Sequence, residues 1–135
     1  MKYQHIKIDM DYCADPLWVS VDGIHFVNDS LSEYDNILSR ELLHGLCLYR
    51  DIWGLSKWSQ FRSPSDEFKD VGYEDSLEDL IKEMEIHLAV RLKTEMPDYH
   101  IYYCKYYPER ECAHQYENVE ITFEKPPDIY RTLVN

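Results

Sequence analysis

Apolar residues recur with helical spacing through the middle of this chain and alternate with polar residues towards its two ends. The first helical segment reads LSRELLHGLCLYRDIWG, residues 38–54. It places four large apolar side chains on one stripe: Leu42, Leu46, Tyr49 and Trp53. Ser39 is predicted as the N-cap and Gly54 as the residue that follows the helix end. Gly45 lowers helix propensity inside this segment, which indicates close packing there.

A second helix is predicted from Ser76 to about Met96, where Pro97 stops it. Ser76 with Asp79 resembles a capping box, and acids in this first turn suit the helix dipole. The predicted buried face consists of apolar residues: Leu77, Leu80, Ile81, Met84, Leu88 and Leu92. The predicted outward positions are charged: Glu78, Lys82, Glu85 and Lys93.

The flanking segments predict strands. Residues 5–12 alternate, with Ile6 and Ile8 on one side and His5 and Lys7 on the other. Asp22-Gly23 between two apolar runs predicts a hairpin with a two-residue turn, which sets Val19 opposite Phe26. That register puts Val19, Val21, Ile24 and Phe26 on one face and Trp18, Ser20, His25 and Val27 on the other. Near the C-terminus, DYHIYYCKYYP and NVEITFE read as two further strands, and the second has Val119, Ile121 and Phe123 inward.

The element order β-β-β-α-α-β-β predicts an α+β fold. We expect a single domain over residues 1–135, because this length suits one domain with one core. Its sheet is predicted to be antiparallel, with about five strands and with the two main helices packed on one face.

Charge and hydropathy narrow the classes of partner. The net charge is −12, so nucleic acid and anionic membrane surfaces would repel this chain. No apolar run has the length of a signal peptide or approaches the roughly 18 residues of a membrane span, so we expect a cytoplasmic protein. The acidity favours a basic protein partner, and the alternative interpretation is that it only maintains solubility.

More than half of the charge excess lies between Asp66 and Glu85. This segment holds nine carboxylates and two lysines, a net charge of −7, and the other residues share −5. The segment is interpreted as a partner-binding patch with these residues: Asp66, Glu67, Asp70, Tyr73, Glu74, Asp75 and Glu78. The alternative is a solvated loop followed by the outer face of a helix, in which Asp75 and Glu78 only stabilise the helix start.

Tyrosine is the second unusual feature, with twelve in the chain. Tyrosine combines a rigid apolar ring with a hydroxyl and is enriched where proteins bind proteins. In the strand that follows Pro97, one alternate set of residues must face the core. Tyr102 and Tyr106 belong to the opposite set and are predicted to contact a partner, and a place in the core is the alternative for each.

The chain carries little that indicates catalysis or metal binding. Gly-rich phosphate loops are absent from the sequence. Cys104 and Cys112 are too far apart in sequence for a usual zinc knuckle with His114, so no metal and no cofactor are expected. His44 and Cys47 are three residues apart, which is thin support for a nucleophile and its base. The four cysteines are expected to be free thiols, and no enzymatic activity is expected.

Residues 16–54, PLWVSVDGIHFVNDSLSEYDNILSRELLHGLCLYRDIWG, resemble the front half of small bacterial immunity proteins that accompany polymorphic toxins. These include the immunity proteins of contact-dependent growth inhibition systems. The shared pattern is an aromatic residue before a short hairpin, a loop with Asn and Asp, Leu-Ser at a helix start and a late Trp. The matching positions here are Trp18, Asp22-Gly23, Asn28-Asp29, Leu38-Ser39 and Trp53. The segment SLSEYDNI is longer and more irregular than its counterparts.

The resemblance implies a cytosolic antidote that binds and blocks one toxin domain, commonly a nuclease, without any turnover. Nucleases need basic sites to hold phosphates, so an acidic inhibitor suits such a toxin. Two other hypotheses stay open. One is a small adaptor or regulatory module that binds a basic peptide or a second copy, and the other is a small enzyme that uses Cys47 or His44.

Overall fold

Five strands and two long helices make up the part of the chain that the structure describes. The structure is a computed structural model, and it describes residues 3–61 and 73–123, without the side chains of residues 58–61 and 73–76. In chain order the elements are β1 (His5–Ile8), β2 (Leu17–Ser20), β3 (Val27–Asp29), α1 (Arg40–Phe61), α2 (Tyr73–Glu95), β4 (His100–Tyr106) and β5 (Tyr116–Ile121). Short 3-10 turns lie at Leu31–Tyr34 and Cys112–His114. The predicted α+β fold class is confirmed.

The strands form one sheet in the order β3-β2-β1-β4-β5. β1 and β4 run parallel, with His5 opposite His100 and Ile8 opposite Tyr103, and the other pairs are antiparallel. The prediction of an antiparallel sheet is therefore wrong for the central pair. After β3 the chain passes through both helices before it enters β4, and parallel neighbours require a long crossover of this kind.

One face of the sheet carries the core. Side chains alternate along each strand, and the core face collects the buried ones: Ile6, Ile8, Leu17, Val19, Ile101, Tyr103 and Ile121. Leu42, Leu46 and Tyr49 of α1 belong to the same buried cluster, as their spacing predicts. Both helices therefore lie on one face of the sheet, as predicted.

Ser39 caps α1, as its position predicts. Its hydroxyl accepts a hydrogen bond from the Leu42 amide at 3.1 Å and donates one to the Glu95 carboxylate at 2.7 Å. The Ser39 amide also donates to Glu95, at 2.7 Å. Because Glu95 is the last residue of α2, these bonds hold the start of one helix against the end of the other.

The end of α1 differs from the prediction. The helix continues through Gly54 and ends at Phe61. A Cβ at Gly54 would meet nothing within 4 Å, so this glycine lies in an exposed turn of the helix and lowers propensity without stopping it. A Cβ at Gly45, in contrast, would lie 2.8 Å from Cδ2 of Leu88 on α2. The predicted close packing at Gly45 is confirmed.

The buried face of α2 also differs from the prediction. The helix begins at Tyr73, before Ser76, so Ser76 is not its N-cap. Its buried residues are Ile81, Glu85, Ala89 and Leu92, followed by Met96 just after its end. Leu80 is 46% exposed, whereas Glu85 is 1% exposed. The helix is thus rotated about its axis relative to the expectation, which leaves Leu80 outside and brings one acid into the core.

The β2–β3 connection is longer than the predicted two-residue turn. Val19 pairs with Val27, where the prediction was Phe26, so the register differs by one residue. The Asp22 carboxylate accepts hydrogen bonds from the amides of Ile24 and His25 at 2.8 and 2.9 Å, which favours a wider loop. Val21 and Ile24 are 64% and 76% exposed in this loop, so their predicted place on the same face as Val19 is wrong.

Candidate binding surface

The face of the sheet opposite the helices, here called the open face, carries polar and aromatic side chains. The register places the following residues at the positions that alternate with the core: His5, Lys7, Trp18, His100, Tyr102, Tyr106, Tyr116, Asn118 and Glu120. Tyr102 lies at its centre, opposite Lys7 on β1 and Glu120 on β5. Within residues 3–61 and 73–123, no helix packs on this face. In the described fold this face is therefore available for a partner.

Two stacked imidazole rings lie near the middle of the open face. The ring centroids of His5 and His100 are 4.6 Å apart, with 14° between the ring planes. The Tyr102 hydroxyl lies 2.9 Å from Nδ1 of His5, and Nδ1 of His100 lies 2.7 Å from the Glu120 carboxylate. Partial burial and the Glu120 charge raise the pKa of Tyr102, so its hydroxyl stays protonated. These contacts join β1, β4 and β5 and hold the rings in fixed positions.

The Val21–Phe26 loop folds over one end of this cluster. The Phe26 ring meets the Tyr102 ring edge-on, with centroids 5.8 Å apart, and Lys7 Nζ lies 4.8 Å from the Phe26 centroid. Gly23 has a φ of +80°, and a Cβ on it would lie 2.9 Å from Nδ1 of His5. Glycine is therefore needed here both for the backbone conformation and for the close approach.

A pair of tyrosines lies at the far end of the open face. Tyr106 and Tyr116 are opposite each other on β4 and β5, with ring centroids 5.0 Å apart, and they are 45% and 65% exposed. In the adjoining turn, the Arg110 guanidinium lies 3.5 Å from the centroid of the Tyr107 ring. Exposed, positioned tyrosine rings of this kind are typical of protein interfaces.

The predicted acidic patch lies largely outside the part of the chain that can be described. Asp66, Glu67 and Asp70 fall outside the described residues. Tyr73, Glu74 and Asp75 lie in the first turn of α2, but their side chains are outside the description. Glu78 is exposed on α2, in the helix layer and not on the open face. The structure thus places Tyr102 and Tyr106 on one face and Glu78 on another.

Glu85, one of the nine acids in that segment, is a core residue. Its carboxylate accepts a hydrogen bond from the Tyr49 hydroxyl at 2.9 Å and lies 3.4 Å from Lys82 Nζ. Lys82 Nζ also donates to the Cys104 carbonyl at 3.3 Å. Burial raises the pKa of Glu85 to about 7, even though Lys82 and Tyr49 favour the ionised form. The outward orientation predicted for Glu85 is therefore wrong.

The residues considered for chemistry do not form a site. His44 is exposed and Cys47 is half-buried against the core, and no hydrogen bond joins them. Cys47 thus packs against the core. Among the described residues, no group of three or more His, Cys, Asp or Glu side chains could hold a metal ion. All four cysteines are described and have free thiols, and Cys104 is the buried one.

Several residues of the open face were not singled out from the sequence. The alternation in β1 already places His5 outward, and NVEITFE places Glu120 outward. Their meeting with His100 depends on β1 and β4 being neighbours, which no local pattern shows. Phe26 reaches Tyr102 only because the loop is wider than the predicted turn.

Neither helix in the described part of the chain combines length with enough apolar residues to cross a lipid bilayer. Comparison with protein-family models, with curated proteins and with solved structures found no match for this chain.

Proposed function

We propose that this protein is a cytoplasmic immunity protein that binds a basic toxin domain and neutralises it by stoichiometric occlusion, without catalysis. The observation that carries the proposal is the open face. Its rings at Tyr102, Tyr106 and Tyr116 are held on a rigid sheet, and the described helices all pack on the other side. Because the scaffold already holds these rings in place, little conformational entropy is lost when a partner binds.

The charge of the chain supports a basic partner. The net charge of −12 attracts a cationic protein over a range of about 10 Å at moderate ionic strength. On α2, Glu78, Asp79 and Glu83 are exposed, so the acidic segment continues into the described helix. The proposed contacts of this segment are the predicted ones: Asp66, Glu67, Asp70, Tyr73, Glu74, Asp75 and Glu78.

Neutralisation follows from where such a surface would bind. A nuclease must hold phosphate groups with Lys and Arg, so its active site is the most basic region that it offers. An acidic protein that carries exposed rings competes for that region as a substitute polyanion. Binding beside the active site would also block access of a large nucleic-acid substrate.

The test is a binding and inhibition experiment with the C-terminal domain of the toxin encoded beside this gene. Calorimetry should give one-to-one binding, and nuclease activity should fall to the background level at equimolar protein. Raising the NaCl concentration should slow association while changing dissociation little. A neighbouring toxin domain that is not bound and not inhibited would overturn the proposal.

Matched variants separate the open face from other exposed rings. Tyr106→Ala should raise the Kd about tenfold or more, since truncation of an anchoring tyrosine costs about 2 kcal/mol or more. Tyr12→Ala is the control, because Tyr12 is 58% exposed and contacts Trp53 on the helix side. Equal losses in the two variants would remove the open face from the proposal.

The acidic segment has its own test. Reversal of both Asp70 and Glu74 to Lys should slow association at low salt, because it removes negative charge where steering is expected. Unchanged association kinetics at low ionic strength would remove this patch and leave the open face as the contact surface.

A further inference from the structure

β5 is one edge of the sheet that the described residues form, and its outer side faces away from β4. In the described residues, β4 pairs with β5 on one side and no strand pairs with β5 on the other. Such an edge is a template on which another chain can add a strand. The question is which residues of β5 direct their amides outward.

The hydrogen-bond pattern identifies them. The Tyr107 amide donates to the Gln115 carbonyl, which makes these two a hydrogen-bonded pair of the antiparallel ladder. Hydrogen-bonded pairs occur at every second position, so Glu117, Val119 and Ile121 bond to β4. The backbone groups of the intervening residues, Tyr116, Asn118 and Glu120, therefore point to the free edge. The same alternation holds along β4. Ile101 bonds to β5, so the amide of its neighbour His100 must point to β1, and it donates to the Gln4 carbonyl there.

This edge lacks several of the devices that usually block strand addition, and its charged residues are two acids. β5 has six residues, YENVEI, without Lys or Pro, and its pairing with β4 is continuous from Ile101 opposite Ile121 to Tyr106 opposite Tyr116. The opposite edge, β3, has three residues and is too short to offer a comparable ladder. Natural sheets shorten, charge or bulge their edges to avoid such pairing. β5 is therefore the edge that suits a partner.

We propose that the partner docks by adding a strand that carries Lys or Arg on both of its faces to the free edge of β5. This inference rests on the proposed function and adds the binding mode to it. Main-chain hydrogen bonds form at Tyr116, Asn118 and Glu120, whose side chains lie on the open face. The added strand thus extends the sheet and places its own side chains beside the tyrosine pair.

Charge selects a basic strand over a second copy of this chain. The charged residues of β5 are both acids, Glu117 and Glu120, with side chains 52% and 36% exposed. Glu117 lies 3.1 Å from Arg110 and Glu120 lies 2.7 Å from His100, so each acid is partly compensated within the chain. Pairing of β5 with another β5 would bring these acids together between two chains of net charge −12 each. Glu120 lies on the open face and Glu117, three residues away, on the opposite face, so a strand that carries Lys or Arg on both of its faces meets both acids favourably.

Amide hydrogen exchange tests the free edge in the protein alone. The amides of Tyr116, Asn118 and Glu120 should exchange much faster than those of Glu117 and Val119, because only the latter bond to β4. Equal, strong protection of both sets in the free protein would show that the edge is already occupied, and would overturn this inference.

A proline tests the edge in the complex. Asn118→Pro removes one outward N–H and leaves the ladder to β4 in place, and Pro is tolerated at such positions of edge strands. Asn118→Ala is the matched control, since it changes the side chain but keeps the N–H. With the neighbouring toxin domain as the probe, Asn118→Pro should raise the Kd at least about tenfold, and Asn118→Ala less than about threefold.

The outcomes separate the two proposals. If wild type and Asn118→Pro bind the toxin domain equally, strand addition is wrong and the proposed function stands. If wild type does not bind it, the proposed function fails and strand addition fails with it. A thermal melt of Asn118→Pro should match that of Asn118→Ala, and a large additional loss of stability would show that the outward N–H has a partner within the folded chain, against the inference.

Discussion

The Tyr49 hydroxyl on α1 donates a hydrogen bond to the Glu85 carboxylate on α2 across 2.9 Å, and both side chains are about 1% exposed. The contact joins the two helices at the level where they face the sheet. Lys82 approaches the same carboxylate from one turn earlier and also reaches the Cys104 carbonyl on β4. Through Tyr49 and Lys82, this buried acid links both helices to the sheet. Its protonation state should therefore affect the stability of the whole fold.

Stability should fall as the pH rises from about 4.5 to about 7. Burial raises the pKa of Glu85 from 4.5 to about 7, so the folded protein keeps a proton that the unfolded chain has already released. The protonated fold is favoured below this window, and the advantage is lost as the pH passes the folded pKa. The contribution of Glu85 to the free energy of unfolding should fall by about 3 kcal/mol across the whole window. Urea unfolding at pH 5 and pH 8 measures it.

Glu85→Gln is the matched variant for this pH effect. The amide keeps the shape of the side chain and carries no charge at any pH, so the part of the pH dependence due to Glu85 should disappear. If the wild type and Glu85→Gln share the same pH profile, Glu85 does not titrate in the expected range.

Tyr49→Phe should destabilise the fold, and more at pH 8 than at pH 5. The variant keeps the ring and removes the hydroxyl, which leaves the carboxylate short of a donor, at a cost of about 1–3 kcal/mol. The Tyr49 hydrogen bond lowers the pKa of Glu85, so its loss penalises the ionised form most. Tyr12→Phe is the control, since Tyr12 is 58% exposed, and it should change the unfolding free energy little. A pH-independent difference between the two variants would contradict the assignment.

Two glycines of α1 should respond differently to alanine. Gly54→Ala should stabilise the protein by about 0.5–1 kcal/mol, because a Cβ there meets nothing within 4 Å and helix propensity improves. Gly45→Ala places a Cβ 2.8 Å from Cδ2 of Leu88, so this methyl group must move and the gain should be lost or reversed. Thermal unfolding of both variants compares them directly, and equal gains would show that Leu88 does not restrict this position.

Gly23→Ala should destabilise the protein for two separable reasons. The φ of +80° costs a non-glycine residue about 1–2 kcal/mol, and the new Cβ would lie 2.9 Å from Nδ1 of His5. In a His5→Ala background the contact disappears and only the backbone cost remains. In a double-mutant cycle, Gly23→Ala should therefore lower the unfolding free energy less in the His5→Ala background than in the wild type. Equal losses in the two backgrounds would exclude the contact as a cause.

Local patterns predicted those features that depend on neighbouring residues. The alternation of Ile6 and Ile8 identified a core strand, and Ser39 identified the start of α1 because a cap acts within one turn. Gly45 indicated a close contact because a glycine inside a helix is costly without one, although its partner, Leu88, lies on the other helix. These are short-range rules, and the structure places these four residues as the rules require.

Features that depend on a distant partner were not predictable in the same way. An acid at position 85 is normally assigned to the surface, and its burial depends on Tyr49 of the other helix together with Lys82 one turn earlier. The Asp22-Gly23 pair indicated a turn, but the hydrogen bonds of the Asp22 side chain widened it and shifted the register. The parallel pairing of β1 with β4 likewise has no local signature.

The position of β1 inside the sheet has a consequence for how the protein is made. β1 leaves the ribosome before the other strands of the sheet, yet its second neighbour is β4, and His5 meets Tyr102 across 97 positions of the chain. While the nascent chain extends only to α2, β1 lacks its neighbour β4. β1 can complete its pairing only after β4 has been synthesised, so the core cannot assemble fully until the chain has grown past Tyr106.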